Sequence, residues 1–227
     1  MSNFKKADFS ITIDFDKKSP NPSRVFEAMT SLVKSFEQFD KELVRHLDNN
    51  IETVMLLEDV ETGSLRTWLA NMIKGVPDEG LSELDWKKAV GHYLVKAKYI
   101  LLNSLEGRVH ISDDAKEIEA IEMRLLDAAK DLGVDQLPTY VPTTKKTIIN
   151  QIDKMVDAVE PLTDKDEVYY QSEDGKASFS VDFDIDMEAM EDLISSEKIT
   201  SKSKMILKVK KPDYLGGSKW SFKHGSD

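Results

Sequence analysis

The stretch LEDVETGSLRTWLANMIKG, residues 57–75, decides how far any sheet in this chain can extend. Glu58, Asp59 and Glu61 precede a Gly63-Ser64 step, and Arg66 and Trp68 follow it. Leu65, Trp68, Leu69, Met72 and Ile73 fit helical spacing. Leu65, Leu69 and Ile73 also share one side of a strand interrupted by Thr67 and Asn71. Both readings stand on periodicity, and a Thr62-Gly63-Ser64 turn between two strands is physically sensible.

The same stretch gathers acids, a hydroxyl and a guanidinium, so it invites a catalytic reading. A serine nucleophile needs a nearby base, normally histidine, and an oxyanion hole. No histidine lies within ten residues of Ser64, and ETGSLR does not fit G-x-S-x-G. What remains of that reading is a metal-assisted enzyme using Glu58, Asp59 and Glu61.

Upstream, DFSITIDFD alternates Phe9, Ile11, Ile13 and Phe15 with Ser10, Thr12 and Asp14, which predicts a half-buried strand. SPNPS breaks the chain and offers Ser23 as a helix cap. Phe26, Met29, Val33, Phe36, Leu43 and Leu47 then recur at helical steps and predict a long amphipathic helix over 24–47. ETVMLLED reads as a strand apolar on both faces from Val54 to Leu57, which suits a central place in a sheet.

Downstream, a helix is expected from about 84 to 105, with Trp86, Val90, Tyr93, Ala97, Ile100 and Leu101 inward. Lys87, Lys88, Lys96 and Lys98 are expected largely on its outer side. Ser112 is placed to cap the next helix, which runs to Asp131 before Gly133. Thr143 or Thr144 opens a fourth, with Ile148, Ile149, Ile152, Met155, Val156 and Val159 on one side and Pro161 just beyond. After Pro161 the pattern turns to strands: a hairpin about Asp174-Gly175, a short helix over 187–194, then strand, Pro/Gly turn and strand. The chain thus divides into an α+β domain, 1–162, and a β-rich C-terminal region, 163–227. The fold class expected is α+β, an antiparallel sheet packed by about four helices, with a terminal region that reads as an incomplete domain.

Composition narrows the function classes. There is no cysteine, which excludes disulfides, thiolate catalysis and cysteine-based zinc sites. No apolar run approaches the ~18 residues of a membrane span. The opening residues, interrupted by polar side chains, lack the apolar core of a secretory signal. A cytoplasmic protein with no membrane partner is expected. The net charge of −11 is uneven: residues 164–192 hold eleven acids against two lysines, and residues 197–224 hold eight lysines against two acids. The blocks either neutralise each other or turn the lysines toward an anionic partner.

Other motifs read more simply as structure. Asp182, Asp184 and Asp186 begin a calcium-loop pattern that fails at Met187 and Leu193, so they read as the solvent side of a strand bearing Phe179, Val181, Phe183 and Ile185. His46, His92, His110 and His224 form no metal-binding spacing. No metal or cofactor is called for. The tail interleaves Lys204, Lys208, Lys210, Lys211, Lys219 and Lys223 with Tyr214 and Trp220, a composition suited to phosphates and stacked bases or to a partner protein.

With EDVETGSL and LKVKKPDYLG…KWSF in view, the chain resembles bacterial and prophage-type proteins of unassigned function. In that resemblance the acidic turn into GSL joins two antiparallel strands, and the tail begins a small β domain that continues further. It implies a hairpin rather than a helix for 65–73 and carries no catalytic residue. The reading that follows is a non-enzymatic interaction or assembly component, a complex subunit or homo-oligomer, in a bacterial or mobile-element system such as phage defence. Nucleic-acid binding through the tail is the alternative.

Overall fold

The computed structural model describes residues 7–18, 21–61, 64–74, 85–111, 115–195, 207–211 and 221–224. The elements run β1 (Phe9–Asp14), α1 (Ser23–Leu47), β2 (Glu52–Glu61), β3 (Leu65–Lys74), α2 (Trp86–Leu105), α3 (Ala115–Asp131) and α4 (Lys145–Val159). Then come β4 (Glu167–Ser172), β5 (Gly175–Phe179), α5 (Met187–Ser195), β6 (Leu207–Lys211) and β7 (Ser221–His224). The architecture is α+β: a five-stranded antiparallel sheet in the order β2-β3-β1-β4-β5, with α1 to α4 as its main helices. Residues 65–73 are therefore strand, as the resemblance implied.

β1 is central, with β3 and β4 on either side. Phe9, Ile11 and Ile13 point to the helical side and are almost wholly buried. There Tyr170 stacks on Phe9 with ring centroids 5.3 Å apart, and Phe36 of α1 meets Tyr170 edge-on at 5.9 Å. The Tyr170 hydroxyl donates to the Val95 carbonyl of α2 at 2.9 Å, which locks that helix over the sheet. β4 and β5 lie beyond residue 162 yet complete the sheet begun by β1, whereas β6 and β7 pair in a separate sheet.

Several local expectations hold. Thr144 caps α4, its hydroxyl accepting from the Thr147 N–H. Gly133 takes the left-handed conformation at φ 73° that ends α3. The hairpin turns at Glu173-Asp174 and places Gly175 at φ 143°, where a Cβ would fall 2.8 Å from the Tyr99 hydroxyl oxygen. Gly175→Ala should therefore destabilise the fold by about 1–3 kcal/mol, combining a backbone region costly for L side chains with a close contact. A denaturant midpoint unchanged from that of the parent chain would refute this.

Four expectations need correction. β2 is an edge strand and not a central one, so apolar residues on both its faces reflect exposure rather than double burial. Ser23 is the first residue of α1 and its hydroxyl donates to Asn21, while Pro22 stands at the cap position without a side-chain bond. Phe26 is 63% exposed, because the buried stripe of α1 runs through Val25, Met29, Leu32, Phe36, Phe39 and Leu43. The strand after the hairpin stops at Phe179, and the chain then bends to bring Asp184 beside His110 in an isolated parallel bridge. Asp186 accepts from the backbone N–H groups of Glu188 and Ala189 and so starts α5. The cap expected at Ser112 lies outside the described residues.

Candidate functional site

The opening acids lie close together along β2. Glu58 sits at a β-bulge between Leu57 and Asp59, and the Asp59 carboxylate accepts from the neighbouring Val60 N–H. Glu61 lies 3.7 Å from the guanidinium of Arg66, which also donates to Thr12 across β1 and lies over the Trp68 ring, 5.7 Å from its centroid. Arg66 thus ties three strands together. Among the described residues no group of three or more histidines, cysteines or carboxylates is placed to hold a metal ion.

Of the tail residues singled out by composition, Lys208, Lys210 and Lys211 fall on β6 and Lys223 on β7. The backbone register sets Lys208 opposite Lys223. Lys204, Tyr214, Lys219 and Trp220 lie outside the described residues. A cleft of about 570 Å³ lies beside the first half of α2, lined by Asp8, Trp68, Asn71, Lys88, His92 and Glu173 among others. Its charges oppose one another, and His92 is already engaged by Glu173.

The feature that sequence reasoning missed is an edge. β2 presents ten residues, and among the described residues its only ladder partner is β3. The exposed apolar side chains concentrate here: Leu57 is 63% exposed, Val60 48% and Val54 39%, with Met72 opposite Val54 on β3. Thr53, Met55 and Leu57 alternate onto the helical side. The bulge then brings Val60 opposite Thr67, whose hydroxyl donates to the Met29 sulfur of α1, so Val60 joins that side. The far edge, β5, is half as long, and Glu106 there accepts from both the backbone N–H and the hydroxyl of Ser178.

Behind β2 lies a buried ion pair. Lys98 of α2, expected on the outer side, is wholly buried and donates to Asp40 of α1 and to the Leu94 carbonyl, with its ammonium 5.0 Å from the Phe9 ring centroid. Burial pushes the Asp40 carboxyl up to about 6 against the pull of Lys98, and burial lowers Lys98. The second Asp40 oxygen, Oδ2, has no hydrogen-bond partner, and neither has the buried hydroxyl of Thr53 on β2.

Among the described residues no helix is long and apolar enough to cross a membrane. No protein family, curated protein or solved structure matches the chain.

Proposed function

We propose that this chain is a non-enzymatic interaction component that recruits an extended partner segment onto the edge of β2 that no described strand covers. The observation that carries this is the ten-residue edge with Val54, Leu57 and Val60 exposed along it. Unpaired strand edges are templates for strand addition, and backbone hydrogen bonds supply the affinity. β2 carries Glu52, Glu58, Asp59 and Glu61 and no basic residue, the kind of charge that keeps an edge from self-pairing while leaving it open to a different chain. This moves the docking surface from the lysine-rich tail to the acidic edge. We read its setting, from the sequence resemblance, as a bacterial or mobile-element assembly, phage defence included.

The test is capture from source cells with Leu57→Lys combined with Val60→Lys, set against Met123→Lys on α3. All three side chains are exposed, so the fold should change by no more than about 0.5 kcal/mol. A partner held by the parent chain should be lost from the β2 variant and kept by the α3 variant. Retention by both would remove β2 as the docking edge.

A further inference from the structure

A crevice between α1 and β2 contains a cavity of about 160 Å³, lined by Glu37, Asp40 and Lys41 from the helix and by Thr53, Val54 and Met55 from the strand. Asp40 is 1% exposed, yet only its Oδ1 is engaged, by Lys98. Oδ2 and the Thr53 hydroxyl are both buried without partners, and both residues line this cavity. A buried carboxylate oxygen with no donor is costly, and two such orphans beside one cavity define a place where a donor is missing.

The surroundings select the donor. Lys41 and Lys98 balance the charges of Glu37 and Asp40, so what distinguishes the cavity is the vacant carboxylate oxygen rather than net charge. The strand beside it supplies the sign: β2 holds four acids and no base, and only Glu61 is engaged by a described cation, Arg66. A long side chain with a terminal donor could reach inward from a strand laid against β2, because Thr53 faces the helical side. Leu57 lies four residues further on the same side and offers an apolar contact.

We propose that this cavity is a side-chain pocket for a lysine or arginine of an extended partner segment paired with β2, which carries an aliphatic residue four positions away against Leu57. Strand pairing sets the register, and the steps of two along the ladder fix the spacing in either chain direction. The donor reaches Asp40 Oδ2 and the Thr53 hydroxyl, completing the bonds that the free chain leaves open. The inference rests on the interaction reading given above, but it adds the chemistry of the partner.

The experiment displays a random dodecapeptide library against the full chain and measures Kd for the enriched peptides. Enrichment should give Lys or Arg with Val, Ile or Leu four positions away, and replacing that basic residue by norleucine should weaken binding about tenfold or more. Thr53→Val, which removes the hydroxyl with little change of shape, should weaken the basic peptide several-fold and leave the norleucine peptide unchanged. Peptides that are lost from Leu57→Lys/Val60→Lys but show no basic preference would overturn the pocket while the edge reading stands, two waters then being its occupants. Enriched peptides indifferent to those β2 substitutions, or no enrichment at all, would overturn both. Concentration-dependent self-association abolished by the same substitutions would make a second copy the occupant and overturn the basic-segment assignment.

Discussion

Replacing Lys98 by alanine should destabilise the chain by about 3–5 kcal/mol, because it leaves Asp40 buried beside an empty space and without its counter-ion. Lys98 and Asp40 are buried between α1, α2 and β1, so the carboxylate left behind is poorly solvated. The double replacement Lys98→Met with Asp40→Leu should recover most of that loss and lie within about 1 kcal/mol of the parent, since two apolar groups need no desolvation. Urea denaturation of Lys98→Met, Asp40→Leu and the double variant measures the cycle, and additive losses in the double variant would contradict it. A pH dependence follows from the same pair. Burial holds the native Asp40 carboxyl at about 6 against an ordinary 3.8, so between these values the native chain keeps a proton that the unfolded chain has released. The contribution of this group to stability is then greatest below about pH 4 and declines as pH rises to about 6. Asp40→Asn should lack that slope.

Removing the Asp166 carboxylate should cost about 3–5 kcal/mol as well, for the opposite electrostatic reason. Both Asp166 oxygens are fully used. Arg24 of α1 donates to both, Oδ1 also accepts from the Asp16 N–H at 3.0 Å, and Oδ2 from the Thr163 N–H and hydroxyl at 2.8 and 2.9 Å. Burial alone would raise this carboxyl, but the donors from Thr163, Asp16 and Arg24 outweigh it and hold it below its ordinary value. Its stabilisation is present above the unfolded value and lost as pH falls below that through the native one, a window lying lower than that of Asp40. Asp166→Ala should unfold at markedly lower denaturant and Arg24→Ala should do likewise, with the pair far from additive. Equal stability of Asp166→Ala and the parent would refute the clamp. The clamp joins the end of β1, the start of α1 and the approach to β4.

How much of this was legible depends on whether the signal is local. The alternation of Phe9, Ile11 and Ile13 and the Thr144 cap act within a few residues and appear where the chain spells them. The Asp174-Gly175 hairpin signal is local too, its turn falling one residue earlier, at Glu173-Asp174. Residues 65–73 carried both periods at once, and only the antiparallel pairing with β1 and β2 separates them. Lys98 was misread because α2 is buried nearly all round, so the polar-outside rule fails, and the carboxylate that justifies it lies 58 residues earlier. The place of β2 was misread because Val54 to Leu57 look doubly covered. Its acids, Glu52, Glu58, Asp59 and Glu61, were the better signal, since charges of this density mark an edge. The orphaned pair at Asp40 and Thr53 has no sequence signature at all, because it arises from the crossing of a helix and a strand.

The central position of β1 also sets a timetable for the newborn chain. Its first neighbour, β3, follows after some fifty residues, but its second, β4, ends only at Ser172. At ~5–20 residues per second, β1 leaves the ribosome roughly 8–30 s before the strand that closes its other side. During that interval a nascent chain exposes an apolar ribbon with one flank open, the condition in which chaperones and proteases compete for a polypeptide. β1 is thus made before its sheet partners yet is among the last strands to be secured.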